Sequence, residues 1–252
     1  MNDQACRLEE LLIGAIAGLL HGSRHIAVGM ASPIPGSAAL LRRRETDGAT
    51  RVSILQSSRL NNFTDGGTEL FDLAAQGRID TFFLSGGQID GAGNVNLVGV
   101  GDYPQQKVRW SGSFGSAYLY FIIPKVILFR LEHTRRVMVP EVDFISAPGT
   151  SPPEVYRPGG PRALITNLCL FDFDAGSGRF RLRSVHPGHS LEEVRDNTGF
   201  DFDVPAQVPA TPVPDAATLA SIRGPIADEI AVAYPRFAAD VFGVGPLARE
   251  AG

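Results

Sequence analysis

The chain has 252 residues, of which 44% are hydrophobic and 20% are charged, and its formal net charge at pH 7 is -4. This composition is ample for a buried core and excludes disorder over most of the length. The negative balance argues against the broad basic surface with which proteins bind nucleic acid or anionic membranes.

Hydrophobic periodicity and turn residues predict alternating helices and strands. In chain order, we expect a helix over 8–20, a buried strand from 25, a helix starting near 36, a strand over 52–55, a helix over 69–76, a buried strand over 80–84, and strands over 126–129 and 142–145. The runs 163–174 and 178–186, separated by turn residues, predict a β-hairpin, and 150–161 predicts a surface loop. A proline-rich linker follows from about 204, and Asp215 is a typical N-cap for a final helix.

Helices between apolar strands are typical of an α/β fold with a mostly parallel central sheet flanked by helices. We expect one domain over 1–252, with the linker and helix from about 204 at its end. Ligands of such sheets lie beyond the carboxyl ends of the strands, on glycine-rich loops. The loops after Leu55 and Leu84 fit that description.

The first apolar run, 11–20, is too short to cross a bilayer, and the residues before it lack the basic start of a signal peptide. We therefore expect a soluble, cytoplasmic protein with no membrane partner. Cys6 and Cys169 lie far apart without metal-ligand spacing, which predicts two reduced thiols. His186 and His189 lack a third ligand nearby, so we expect no metal site.

The most glycine-rich segment, 84–103, reads LSGGQIDGAGNVNLVGVGDY. Its glycines allow tight bends and let a ligand approach backbone N–H groups. The segment is neither a P-loop nor a dinucleotide fingerprint. From composition alone, tight turns between short strands and a ligand-binding loop are equally good interpretations.

The ribbon motif QIDGAGNVN, followed by GDY and by SGSFG at 111–115, resembles the β subunit of glutaconate CoA-transferase and its family I relatives. The resemblance continues in order through VDFISAPG at 142–149, LITNLCLFDFD at 164–174, NTGFDFDV at 197–204 and PDAATLASIR at 214–223. It therefore covers nearly the whole chain.

The resemblance implies a CoA-transferase (NagB/RpiA-like) fold and an α-type partner subunit, in an α2β2 assembly. It implies an acyl-CoA thioester as substrate and no tightly bound cofactor. In the family, a β-subunit glutamate attacks the thioester, and backbone amides of glycine-rich loops stabilise the oxyanion.

Carried over by position, Gly86, Gly87 and Gln88 match the family's substrate loop, which Asn94 and Asn96 support. The outer glycines of the family's GxGG turn are matched by Gly112 and Gly115. Phe114 replaces the third residue of that turn. Because phenylalanine adopts positive φ at a cost, we expect Phe114 to alter the turn and narrow the pocket.

Gln56 stands at the position of the nucleophilic glutamate, in the segment ILQSS. An amide cannot form the anhydride, so three interpretations remain open. The chain belongs to the branch of ring-opening hydrolases and a glutaconyl-CoA-type decarboxylase, or another carboxylate such as Asp65 or Glu69 replaces the glutamate, or the residue is an engineered change. The alternative that is not an enzyme is a catalytically silent subunit that binds acyl-CoA.

Overall fold

In the computed structural model of the protein, residues 5–244 are described. The helices are α1 (Leu8–Leu19), α2 (Pro33–Glu45), α3 (Gly66–Ala75), α4 (Ser116–Ile122), α5 (Leu191–Asn197), α6 (Ala216–Ser221), α7 (Ala227–Ile230) and α8 (Pro235–Phe242), with a π-helical turn at Ile222–Ile226. The strands are β1 (His25–Val28), β2 (Arg51–Ile54), β3 (Thr81–Leu84), β4 (Gln88–Ile89), β5 (Val95–Asn96), β6 (Gly99–Val100), β7 (Val108–Arg109), β8 (Lys125–Phe129), β9 (Pro161–Ile165), β10 (Cys169–Asp174) and β11 (Arg179–Val185).

These elements form two compact units, divided within α3. Among the described residues, the first unit comprises 5–70 with 212–244, and the second comprises Phe71–Thr211. Among the described residues, no helix combines the length and the hydrophobicity that crossing a bilayer requires.

The first unit contains the parallel strands β1 and β2 and most of the terminal helices. Helix α1 buries its apolar face, and Arg223 from the π-helical turn clamps the buried Glu10 of α1 through hydrogen bonds of 2.6 and 2.9 Å. Burial acts to raise the pKa of Glu10, but the hydrogen bonds from Arg223 and Arg7 outweigh it and hold that pKa below its usual value. Helix α1 and the π-helical turn are thereby joined in this unit.

The second unit is built on a mixed sheet. Strand β3 pairs parallel with β8, and β8 pairs parallel with β9. Strands β9, β10 and β11 then run antiparallel, and the rings of Phe171 and Phe180 pack 5.9 Å apart beside them. The short pairs β4–β5 and β6–β7 form two hairpin-like ribbons.

The predicted α/β class with a mostly parallel sheet is confirmed, since β1–β2, β3–β8 and β8–β9 are all parallel. The hairpin and the final helix are also confirmed: β10 pairs with β11, and Asp215 accepts a hydrogen bond from the Thr218 N–H at 2.8 Å. Whether the chain is best treated as one domain stays a prediction.

Three predicted elements differ from the structure. Helix α2 begins at Pro33 rather than near Gly36, because proline is well tolerated in the first turn of a helix. The run 163–174 is two strands, since the chain reverses between β9 and β10. The expected strand at 142–145 was wrong: Asp143 donates its N–H to the Gln88 side chain rather than to a neighbouring strand.

Candidate functional site

The glycine-rich ribbon that follows β3, residues 85–103, is held in shape by its own polar side chains. Asp90 accepts hydrogen bonds from the backbone N–H groups of Ala92 and Asn94, at 3.1 and 3.0 Å, and from the Asn94 side chain at 3.0 Å. The Asn94 oxygen in turn accepts from Gly149 at 3.0 Å. These contacts close the turn between β4 and β5. Asn94 therefore stabilises the ribbon from within this turn.

Asn96 is fully buried and braces the other end of the ribbon. Its Nδ2 donates to Oε1 of Gln88 and to the Gly99 carbonyl, both at 2.7 Å. The same Gln88 oxygen accepts from the Asp143 N–H at 3.0 Å. The Gln88 side-chain oxygen is therefore occupied by the chain itself, which fixes the backbone on which Gly86 and Gly87 sit.

The ribbon forms one wall of a cavity of about 770 Å³ in the second unit. Its lining combines the start of the ribbon with an apolar face and a small charged group: Ser85, Gly86, Gly87, Gln88, Leu97, Val100, Val108, Trp110, Val137, Val139, Arg130, Glu132, Arg136 and Asp143. Strands β3 and β8 are parallel neighbours, with Leu84 paired to Leu128. Ser85 and Arg130 therefore both follow carboxyl strand ends, where α/β sheets bind ligands.

Gly87 is required by the packing of this wall. A Cβ added at Gly87 would lie 2.0 Å from the nearest ring atom of Trp110. Only a residue without a side chain lets the Trp110 ring approach the ribbon this closely. The structure places Trp110 on the cavity wall.

The charged group of the cavity is centred on Glu132. Arg136 approaches its Oε1 at 2.6 Å, Arg130 approaches its Oε2 at 3.3 Å, and the Thr134 hydroxyl donates at 3.0 Å. The hydrogen bond from Arg136 is the main cause that holds the pKa of Glu132 below its usual value. Glu132 therefore forms ion pairs with both Arg130 and Arg136.

The residues of the GxGG-like turn lie apart from this cavity lining. Phe114 adopts a φ of 44°, and Gly112 a φ of 103°, so the turn keeps left-handed residues at both positions. The Phe114 ring is 83% exposed and lies 5.4 Å from the Phe71 ring. Phe114 does not line this cavity, and its effect on the substrate pocket stays a prediction. A Cβ at Gly115 would lie 2.2 Å from the same Phe71 ring.

Gln56 lies in the first unit, just beyond β2, and is exposed. Its Oε1 accepts a hydrogen bond from the Ala31 N–H at 2.9 Å, in the loop that follows β1. Because a backbone N–H donates to oxygen and not to an amide nitrogen, this contact fixes the orientation of the side chain. Its Nε2 consequently faces the Ala233 carbonyl, at 3.5 Å.

The carboxylates proposed as substitutes for the family glutamate lie downstream of Gln56. Glu69 accepts hydrogen bonds from the Thr64 hydroxyl at 2.8 Å and from the Asp65 N–H at 3.2 Å. The hydrogen bond from the Thr64 side chain is the main cause that lowers the pKa of Glu69. Glu69 is thus engaged in closing the turn before α3.

His133 is buried and satisfied on both ring nitrogens, by Thr166 at 2.8 Å and Thr198 at 2.9 Å. Burial lowers its pKa to about 4. His133 thus has a structural role, whereas Glu132 lines the cavity. Within 5–244, no three His, Cys, Asp or Glu side chains are placed to hold a metal ion.

The short basic cluster at 42–44 is largely committed to ion pairs. Arg42 pairs with Glu45 at 3.1 Å, and Arg43 pairs with Glu229. Both partners lie in the first unit. These contacts favour a solvated surface patch at 42–44 over a phosphate site.

Sequence reasoning missed Arg130, Arg136 and Asp143 as cavity residues. They lie far downstream of the ribbon in sequence and reach it only because β3 and β8 are neighbours in the sheet. The alternation of charges at 130, 132 and 136, directly after an apolar strand, was the available signal.

A family model described as "Coenzyme A transferase" matches residues 5–197 of the chain. The chain is 36% identical over 153 residues to the B-type subunit of the 3-oxoadipate CoA-transferase of Pseudomonas knackmussii, covering 58% of each chain. It is 34% identical over 148 residues to the B-type subunit of the glutaconate CoA-transferase of Acidaminococcus fermentans, covering 56% of this chain and 54% of that one. The alignments thus span little more than half the length of these relatives.

Among solved structures, Rhodococcus jostii IpdAB is similar, with a TM-score of 0.74 and 27% identity. The match covers 86% of this chain and 93% of that one. The IpdB subunit from that organism is named a cholesterol ring-cleaving hydrolase subunit.

Proposed function

Because the chain belongs to the coenzyme A transferase family, whose model matches residues 5–197, we propose that it is the β-type subunit of an enzyme acting on an acyl-CoA thioester. Its partner is an α-type CoA-transferase subunit, in an α2β2 assembly. The 3-oxoadipate and glutaconate CoA-transferase relatives are themselves B-type subunits, which supports a partner of this kind. The thioester is the substrate, and the enzyme uses no tightly bound cofactor.

The observation that carries this proposal is the cavity beside the glycine-rich ribbon. Its volume of about 770 Å³ lies within the range of ligand pockets, about 300–1,000 Å³. Gly86 and Gly87 bring backbone to its surface without side chains, which lets a ligand approach the main chain closely. Leu97, Val100 and Trp110 provide an apolar face suited to a pantetheine or acyl chain.

Gln56 restricts the chemistry. A carboxamide is not a usable nucleophile towards a thioester, so the chain does not form the glutamyl-CoA intermediate at this position. Glu69, the nearest helix carboxylate, is occupied in its turn. Transfer by this enzyme therefore depends on a carboxylate other than these side chains.

Gln56 also favours a second candidate function. In a non-transferase member of the family, either an acyl-CoA ring-opening hydrolase or a glutaconyl-CoA-type decarboxylase, no β-subunit nucleophile is needed. The similarity to the IpdB subunit, 32% identity over 159 residues, supports this branch. The third candidate is a catalytically silent subunit that only binds acyl-CoA. The cavity gives no reason to prefer it over an enzyme.

The test is turnover by the purified complex of this chain with its α-type subunit. Acyl-CoA substrates with short dicarboxylic and ring-derived acyl groups are supplied with and without an acceptor acid. Acceptor-dependent exchange identifies a transferase, thiol release without acceptor a hydrolase, and CO₂ release a decarboxylase. A complex that neither binds nor converts any acyl-CoA contradicts the proposed function.

A further inference from the structure

The charges that line the cavity are not evenly matched. Asp143 is engaged by the Gly101 N–H at 2.6 Å, which leaves Glu132 as the carboxylate facing both arginines. Arg136 lies closer to Glu132, with two contacts to the Glu132 Oε1 at 2.6 and 3.2 Å. Arg130 has a single contact to Oε2, at 3.3 Å.

Arg130 also carries an unused donor. Its Nε is buried, and among residues 5–244 no group accepts a hydrogen bond from it. A buried donor of a charged group is unfavourable when it has no partner. Arg136 differs, because its side chain is 80% exposed and therefore open to solvent, whereas the Arg130 side chain is only 36% exposed.

The position of Arg130 suits a ligand contact. It directly follows β8, and its backbone N–H is fixed by the Ile165 carbonyl at 3.1 Å. The guanidinium is therefore carried by the sheet and not by a free loop. Its two Nη groups form an edge that binds the two oxygens of a carboxylate or phosphate in parallel, since the Nε is buried and closed to the cavity.

We propose that Arg130 is a specificity-determining residue that binds an oxyanion of the acyl-CoA substrate, with Glu132 as the internal counter-ion that the ligand partly replaces. The inference rests on the proposed function and deepens it. The oxyanion is a carboxylate on the acyl chain or a phosphate of the CoA moiety, and both present the same paired oxygens. The weak 3.3 Å contact to Glu132 is the one that the ligand displaces.

The variants are Arg130→Gln, which removes the charge, and Arg130→Lys, which keeps the charge but loses the paired edge. The matched control is Arg135→Gln, because Arg135 lies in the same segment, is exposed and does not line the cavity. Thermal unfolding of each complex shows whether the variant folds. If Arg130→Gln fails to fold, Arg130→Lys carries the test.

The probes are glutaryl-CoA, pentanoyl-CoA of the same chain length, and their 3′-dephospho forms, with dissociation constants measured by calorimetry. We expect Arg130→Gln to weaken glutaryl-CoA binding by about 10- to 100-fold, the range for a charged hydrogen-bond partner. Arg130→Lys should recover only part of this loss. Arg135→Gln should bind like the unaltered protein.

A loss confined to glutaryl-CoA identifies the acyl carboxylate as the oxyanion. An equal loss with both acyl groups, abolished in the dephospho forms, identifies a CoA phosphate. If the unaltered complex binds these thioesters and Arg130→Gln binds all of them equally well, the inference is overturned while the proposed function stands. If the unaltered complex binds none of them, the proposed function itself fails.

Discussion

Replacement of Gly87 by alanine tests the packing of the cavity wall. A Cβ at this position would lie 2.0 Å from the nearest Trp110 ring atom, and two further ring atoms would lie 2.3 and 2.4 Å away. The ring must therefore retreat by more than about 1 Å to restore ordinary contact. Overpacking of this kind costs about 1–3 kcal/mol of unfolding free energy, which lowers Tm by about 2–4 °C per kcal/mol in a chain of this size.

The assay is urea unfolding followed by far-UV circular dichroism, which also reports on variants that lack Trp110, the single tryptophan of the chain. Gly18→Ala is the control: Gly18 lies within α1, and a Cβ there has open space. That change should leave stability unaltered or raise it by up to about 1 kcal/mol.

A double-mutant cycle separates the ring contact from other effects of alanine. In a Trp110→Leu background the large ring is gone, so Gly87→Ala should cost at least about 1 kcal/mol less than in the unaltered protein. Equal costs in the two backgrounds, or an unaltered stability of the single Gly87→Ala variant, would refute the argument that the ring requires glycine here.

Three further changes test other parts of the structure. Gln56→Glu should alter the unfolding free energy by less than about 1 kcal/mol, because a carboxylate still accepts from the Ala31 N–H; a larger loss in urea unfolding would assign the amide a structural role. Burial lowers the pKa of His133 to about 4, below its value in the unfolded chain. The stability that is present above pH 6.5 is therefore lost as the pH falls from 6.5 towards 4, by at most about 3 kcal/mol. A flat profile of unfolding free energy over that range would contradict this. Arg157→Met should destabilise the protein by about 2–4 kcal/mol in thermal unfolding, since Arg157 donates to four backbone carbonyls. The control Arg162→Met, at an exposed arginine with one such bond, should cost under about 1 kcal/mol. Equal losses for the two variants would be inconsistent with this account.

Much of the fold follows from local pattern. The apolar runs at β1, β3 and β8 are continuous because both faces of a parallel sheet are buried, and such runs are visible in sequence. The hairpin of β10 and β11 is visible for a different reason, namely the turn residues between two strand-like runs. The segment 142–145 looked like a strand for its apolar residues. Its backbone N–H groups at Val142 and Asp143 instead donate to the side chains of Asp90 and Gln88, partners that local pattern does not reveal.

The candidate site divides in the same way. Gly86, Gly87 and Gln88 were found from glycine content and resemblance, and they line the cavity. Arg130 and Glu132 were not found, because their approach to the ribbon depends on which strands are neighbours in the sheet. Strand order is a property of the whole fold, and a single sequence carries little direct signal for it.

The central claim is that the cavity beside Trp110 binds an acyl-CoA thioester. The most direct measurement labels this chain alone with 5-fluorotryptophan, assembles it with the unlabelled α-type subunit, and records the single ¹⁹F resonance during titration with glutaryl-CoA. The account predicts a saturable shift of that resonance, with a midpoint equal to the dissociation constant from calorimetry. A resonance that stays unchanged while calorimetry shows the thioester bound would contradict the claim, because the ligand would then lie elsewhere.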